Sequence, residues 1–210
     1  MISCPEFWGI LELPAYPKIM RLLVLVVLAL SACQSTPKLT IQQQLQAHVA
    51  LFVDTWTGSG SGFPMSETEV ITAWHVVGDV PPEAITINGL HPITSERLGD
   101  LDAALLTFAE PHGFGVWQVD VRSIEPAEAV WASGWGAGMF WWSEGLGTLD
   151  PHHLSLTIAP GDSGCPVLDA DGEVVGIVVA RGVYADHHCW IVPITEIHDA
   201  LEERAVALED

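Results

Sequence analysis

The stretch Pro160-Gly161-Asp162-Ser163-Gly164-Cys165-Pro166-Val167 sets a serine between two glycines, with an aspartate before it and a proline soon after. That is a poor way to start a strand and a good way to present a hydroxyl. A serine hydroxyl is a weak nucleophile unless a base takes its proton and donors wait for the oxyanion. Gly161 carries no side chain, so its N–H can face an incoming carbonyl beside that of Ser163. The bland alternative is a tight turn that happens to contain serine. The choice turns on whether the rest of the chain supplies a base and an orienting acid.

Two upstream segments supply them. Val70-Ile71-Thr72-Ala73-Trp74-His75-Val76-Val77 reads as a strand of β-branched and apolar residues ending in a histidine, and Asp100-Leu101-Asp102-Ala103-Ala104-Leu105-Leu106 as a second apolar strand opening on an aspartate. Together the three segments resemble the Thr-Ala-Ala-His, Asp-Ile-Ala-Leu and Gly-Asp-Ser-Gly-Gly-Pro signatures of the chymotrypsin-like serine peptidases, in that order. The compact bacterial, Deg-type members are the nearest likeness. The resemblance implies an all-β fold of two antiparallel six-stranded β-barrels with a C-terminal helix. It makes Ser163 the nucleophile, His75 the general base and then acid, and Asp102 the orienting carboxylate. The N–H groups of Gly161 and Ser163 become the oxyanion hole. An α/β-hydrolase esterase would need Gly-x-Ser-x-Gly and the order Ser, Asp, His; this chain has Cys165 at the last glycine and the order His, Asp, Ser.

The sequence departs from the family at Trp74, where a small residue is usual, and at Cys165, where glycine is usual. Trp74 either crowds the histidine or covers the barrel core. Asp100 competes with Asp102, which fits the Asp-x-Ala-Leu pattern better. Counting back from Ser163, the resemblance puts Thr157 at the base of the primary pocket, with Arg181 and Cys189 near its walls and Val179, Ala180 and Arg181 beside the substrate backbone. With no aspartate at the base, a small or moderate uncharged residue is expected before the scissile bond. Activation by a freed N-terminal Ile-Val has no counterpart in the sequence. No cofactor is implied, and adjacent histidines (His152-His153, His187-His188) on a strand point to opposite faces, so no metal is expected there.

Residues 1–32 read as an upstream extension plus an exported lipoprotein's signal. Lys18 and Arg21 precede an uncharged run from Leu22, too short to span a membrane, and Leu30-Ser31-Ala32-Cys33 resembles a bacterial lipobox, with Met20 the natural start. An ordinary secretory signal with an incidental cysteine is the alternative. Acylation of Cys33 would anchor the protein to a membrane without spanning it, on the periplasmic face of the outer membrane by analogy. Residues 33–44 would form a tether, 45–120 the first barrel with His75 and Asp102, and 121–210 the second with Ser163. With Cys4 removed and Cys33 lipidated, Cys165 and Cys189 remain; an even pair in an exported protein points to a disulfide, the alternative being two buried thiols.

A formal net charge of −20 repels phosphates and disfavours nucleic-acid partners. Asn88-Gly89, Leu98-Gly99-Asp100 and Asp169-Ala170-Asp171-Gly172 punctuate short apolar runs, the rhythm of antiparallel β structure. The last of these resembles a fragment of a calcium loop but lacks its remaining ligands, so a hairpin turn is expected. Trp131, Trp135, Phe140, Trp141 and Trp142 read as core packing, or else as an apolar shelf beside a cleft or a membrane. Ile194, Ile197, His198 and Leu201 recur at helical spacing. The expected activity is peptide hydrolysis by an exported serine endopeptidase acting on peptide or protein substrates. A catalytically silent barrel serving as a cell-envelope scaffold is the rival.

Overall fold

The computed structural model of the protein describes residues 50–181 and 188–209. The expected signal peptide, Cys33 and the tether lie outside them. Short strands separated by turn residues build two antiparallel sheets. In the first are β1 (Leu51–Thr55), β2 (Gly58–Pro64), β3 (Glu69–Thr72), β4 (Thr86–Ile87), β5 (Thr94–Arg97) and β6 (Ala104–Thr107), in the spatial order β4-β1-β2-β3-β6-β5. A single helical turn, α1 (Trp74–Val77), follows β3. In the second are β7 (Ala129–Gly134), β8 (Trp141–Gly147), β9 (His153–Ser155), β10 (Pro166–Leu168), β11 (Val174–Arg181) and β12 (Cys189–Pro193), followed by helix α2 (Ile194–Glu209).

The second sheet closes into a barrel in the order β10-β11-β12-β9-β8-β7. The first does not close, because among the described residues its edge strands β4 and β5 share no hydrogen-bonded ladder. It is a half-barrel where a full one was expected. β4 is only two residues long and β5 carries Thr94, Ser95, Glu96 and Arg97, so neither edge offers a long apolar ribbon to seal a barrel.

Burial explains the continuous apolar runs in the sequence. On β3 and β6, Val70 and Leu106 face the core of the first sheet with Leu51, Val53, Val77 and Ile87. Their neighbours Ile71 and Leu105 face the other way, into a core shared with Leu168, Val174 and Ile177 of the second barrel and with Ile194 and Ile197 of α2. Strands buried on both faces lose the apolar–polar alternation of a half-exposed sheet. The connection after β6 docks on the second barrel through a parallel bridge between Val119 and Val174.

The Asp-Gly turn joins β10 to β11 as a hairpin. Asp169 Oδ1 accepts from the N–H groups of Asp171 (2.9 Å) and Glu173 (3.0 Å). Its other oxygen takes Arg122 Nη2 at 3.0 Å, and the same guanidinium reaches Asp120 and Glu128, each at 2.6 Å. A cation of the protein's own thus sits where a metal-loop reading would place an ion. Glu128 and the other two carboxylates push the Arg122 proton affinity well above its ordinary value, against the opposing effect of burial.

The expected disulfide is corrected by the barrel order. Cys165 and Cys189 are free, buried thiols. The Cys165 carbonyl accepts from Val178 of β11 (3.0 Å), while Cys189 lies opposite Arg181 on β12. Strand β11 therefore separates them, and two inter-strand steps amount to about 9–10 Å, beyond the reach of a disulfide. Burial raises both thiols, Cys165 well above its ordinary value and Cys189 to about 12, so neither is a ready thiolate.

Candidate active site

His75 owes its position to what flanks it. Val76 and Val77 are the buried residues of α1, and the Gly78 N–H closes the turn on the Trp74 carbonyl at 2.6 Å, which leaves the His75 ring on the outer side. There it meets Asp102, which lies in the six-residue turn between β5 and β6. Asp102 Oδ1 accepts from the His75 backbone N–H (2.9 Å) and Oδ2 meets His75 Nδ1 (2.8 Å). Both carboxylate oxygens thus grip one residue, which fixes ring and backbone together and leaves Nε2 as the ring nitrogen not engaged by Asp102. Burial works to raise the Asp102 carboxyl. The bonds from His75 and the charges of His75 and Arg97 outweigh it and hold the carboxyl below its usual value. Asp100, the competing acid, gives its backbone carbonyl to Arg97 Nη2 at 2.8 Å.

Ser163 arrives from the other sheet. A Cβ at Gly60 would stand 2.8 Å from the Ser163 carbonyl and 2.7 Å from the Val76 side chain. A Cβ at Gly164 (φ +85°) would strike the Ser61 carbonyl and lie 2.6 Å from Thr72 Oγ1 and 2.8 Å from the Ala73 nitrogen. The segment bearing Ser163 and the turn bearing His75 therefore press on the same spots, with only glycines between them. Of the glycines in the Gly-Ser-Gly-Ser-Gly run of β2, Gly60 serves this approach, while Gly62 packs against Val53, Val70 and Ile71 of its own sheet.

Ser61, fully buried on β2, stitches the contact. Its N–H donates to the Ser163 carbonyl (2.7 Å) and its hydroxyl to the Gly161 carbonyl (2.8 Å). The same hydroxyl accepts from the Trp135 N–H (2.9 Å), and the Ser61 carbonyl accepts from Thr72 Oγ1 (2.7 Å). Sequence reasoning passed over Ser61, although a serine flanked by glycines on a buried strand was a visible signal.

The two expected oxyanion donors are aimed by their peptide planes. The Ala137 N–H holds the Pro160 carbonyl (2.7 Å), and the Cys165 N–H holds the Asp162 carbonyl (2.8 Å). In a trans peptide the N–H points away from the carbonyl, so Gly161 N–H and Ser163 N–H face the opposite side. Among the described residues neither donates to a backbone carbonyl.

Between them the Asp162 side chain turns inward, only 3% exposed. It accepts from the Ala159 N–H (2.7 Å) and from the indole N–H of Trp141 (2.9 and 3.1 Å). Burial nonetheless raises its carboxyl, against the bonds from Ala159, Trp141 and the Gly136 backbone. Trp141, one of five clustered aromatics, was not singled out in sequence. Trp141→Phe removes one donor from a buried anion and is expected to destabilise the fold by about 2 kcal/mol at neutral pH. A carboxyl already raised by burial is raised further, so the loss is largest where Asp162 is ionised and shrinks as pH falls and the group protonates. Denaturant midpoints of both proteins across pH measure this; a pH-independent difference would contradict it.

Thr157 follows β9 and is half-buried; Val179 and Ala180 lie at the irregularity where the β11–β12 register shifts. Arg181 ends β11. Cys189 has no exposed surface. A cavity of about 310 Å³ opens beside His75, walled by Trp56 and Thr57 of the β1–β2 turn and by residues 77–80 after the histidine. Of the histidine pair at 152–153 only His153 lies on a strand: His152 Nε2 meets Glu196 (2.6 Å), while the His153 ring lies 5.0 Å from that of Trp190; His187 of the other pair lies outside the described residues.

The comparison with known proteins now decides the family. A family model described as a trypsin-like peptidase domain matches residues 60–177, more than half of the chain and all three site segments. The chain belongs to the trypsin-like peptidase family. The fold of this trypsin-like protein is similar to that of Rv3671c from M. tuberculosis H37Rv in an inactive form (TM-score 0.65, 17% identity, 81% of this chain and 94% of that one). It is similar also to the serine endoprotease from Yersinia pestis (TM-score 0.66, 20% identity, 80% and 67%). No curated protein sequence matches it.

Proposed function

We propose that this trypsin-like protein is a serine endopeptidase. In this reading Ser163 Oγ attacks a peptide carbonyl while His75 Nε2 takes its proton, and the Gly161 and Ser163 N–H groups receive the oxyanion. Collapse of the tetrahedral intermediate breaks the C–N bond, and His75 hands the proton to the departing amine. Water, deprotonated by the same ring, then releases the acyl group and restores Ser163. Asp102 keeps the ring in the tautomer with Nδ1–H and stabilises the imidazolium that forms. The cavity beside His75, walled by the β1–β2 turn, α1 and the residues just after it, lies on the histidine's side and suits the leaving half of the substrate. Export and lipid anchoring through Cys33 belong to the same proposal, supported by the Leu30-Ser31-Ala32-Cys33 sequence.

The observation that carries the reading is the double grip of Asp102 on His75, in a fold where the Ser163 segment packs against the same turn. A fluorophosphonate probe tests it. Covalent labelling of folded protein, mapped to Ser163 and lost after His75→Ala, is the expected result. Folded protein that stays unlabelled would favour the silent-scaffold alternative.

A further inference from the structure

Trp74, which departs from the family pattern, has its place in the structure defined by two contacts. Its ring is partly buried against the core of the first sheet. The outer face receives the guanidinium of Arg97, whose Cζ lies 5.9 Å from the ring centroid, within the range of a cation–π contact. Arg97 is the last residue of β5, directly opposite Ala104 at the start of β6. The turn between them carries Asp102. From that base Arg97 Nε donates to the Leu101 carbonyl (2.9 Å) and Nη2 to the Asp100 carbonyl (2.8 Å). Its neighbour Glu96 is engaged by Arg204 of α2 (2.8 Å), so the nearest acid on its own strand has a different partner.

We propose that Arg97, stacked on Trp74 and bonded to the two carbonyls before Asp102, is a positioning residue that holds the acid against His75. One planar fork joins the residue before the histidine to the residues before the aspartate. Lysine cannot copy this, since an ammonium is a point charge without the flat, divergent donors of a guanidinium. The Asp102 carboxylate is only partly buried, and small misplacements of a catalytic group lower rates steeply. The inference rests on the proposed peptidase reading for its kinetic consequence, although the contact it protects, Asp102 to His75, is independent of turnover.

The test therefore reads that contact directly. The proton shared by His75 Nδ1 and Asp102 is followed by NMR as a far-downfield resonance in the wild type, Arg97→Met, Arg97→Lys and Trp74→Leu. Arg97→Met is expected to broaden or abolish it, Arg97→Lys to restore it in part, and Trp74→Leu to weaken it. On a peptide substrate Arg97→Met should lower kcat by about tenfold per active site, counted by probe titration, with KM unchanged. A purely structural role would change the fraction of active protein and leave kcat per site alone. An unaltered resonance and unaltered kcat in Arg97→Met would overturn the proposal. Arg97 is exposed, so the variants are expected to fold; Arg97→Lys carries the test should Arg97→Met fail to. Loss of the resonance in variants of a protein whose wild type resists the probe would sink the peptidase reading and keep the clamp.

Discussion

Replacing Ser163 by alanine is expected to remove nearly all turnover. The hydroxyl is the only group in the proposed chemistry that can form the acyl bond. What survives in the proposed mechanism is the electrostatic environment, the N–H groups of residues 161 and 163, together with the proposed substrate contacts along β11. Such a remnant supports about 10³-fold acceleration over water in enzymes of this template. His75→Ala should fall to a similar level, because without a base the serine stays protonated. The double variant should be no worse than either single one, since the residues act as one unit. Measurement of kcat/KM on a peptide ester and a peptide amide checks all three. Unchanged hydrolysis after Ser163→Ala would end the nucleophile assignment, and losses that multiply would end the claim of a concerted unit.

Gly164→Ala should unfold or badly weaken the protein although it adds one methyl group. Its backbone sits at φ +85°, which costs an L-residue about 1–2 kcal/mol. The added carbon would also strike the Ser61 carbonyl and crowd Thr72 Oγ1 and the Ala73 nitrogen. Those atoms belong to buried backbone and to a bonded hydroxyl, so none can swing aside cheaply. A loss on the order of 3–5 kcal/mol is expected, the backbone cost adding to the roughly 1–3 kcal/mol of overpacking a core. Denaturant unfolding measures it, with the slope unchanged and the midpoint lowered. A loss under about 1 kcal/mol would mean that the two sheets are not in firm contact at this point.

Much of this was legible before any coordinates. The serine, histidine and aspartate segments carry local patterns, and local patterns survive in a one-dimensional reading. Asp102 was preferred to Asp100 on its Asp-x-Ala-Leu setting, and its carboxylate is the one that bonds His75. The turn at Asp169–Gly172 was legible for the same reason, since its hydrogen bonds close within five residues. What depends on lateral placement was not legible. Whether Cys165 can meet Cys189 depends on which strand lies between them, and whether the first sheet closes depends on its two edge strands. Trp74 was ambiguous because its partner, Arg97, is distant in sequence. Trp141 was hidden among other tryptophans because its role rests on a hydrogen bond across the second barrel to Asp162.

The core that Phe63, Ile71 and Leu105 of one sheet share with Leu168 and Ile177 of the other has a thermodynamic consequence. Neither sheet can melt alone without baring that common apolar surface, so the two are bound into one cooperative unit. Histidine and serine, borne on opposite sides of this seam, are lost or regained in the same all-or-none step, and a half-folded molecule with a working half-site has no place on its landscape.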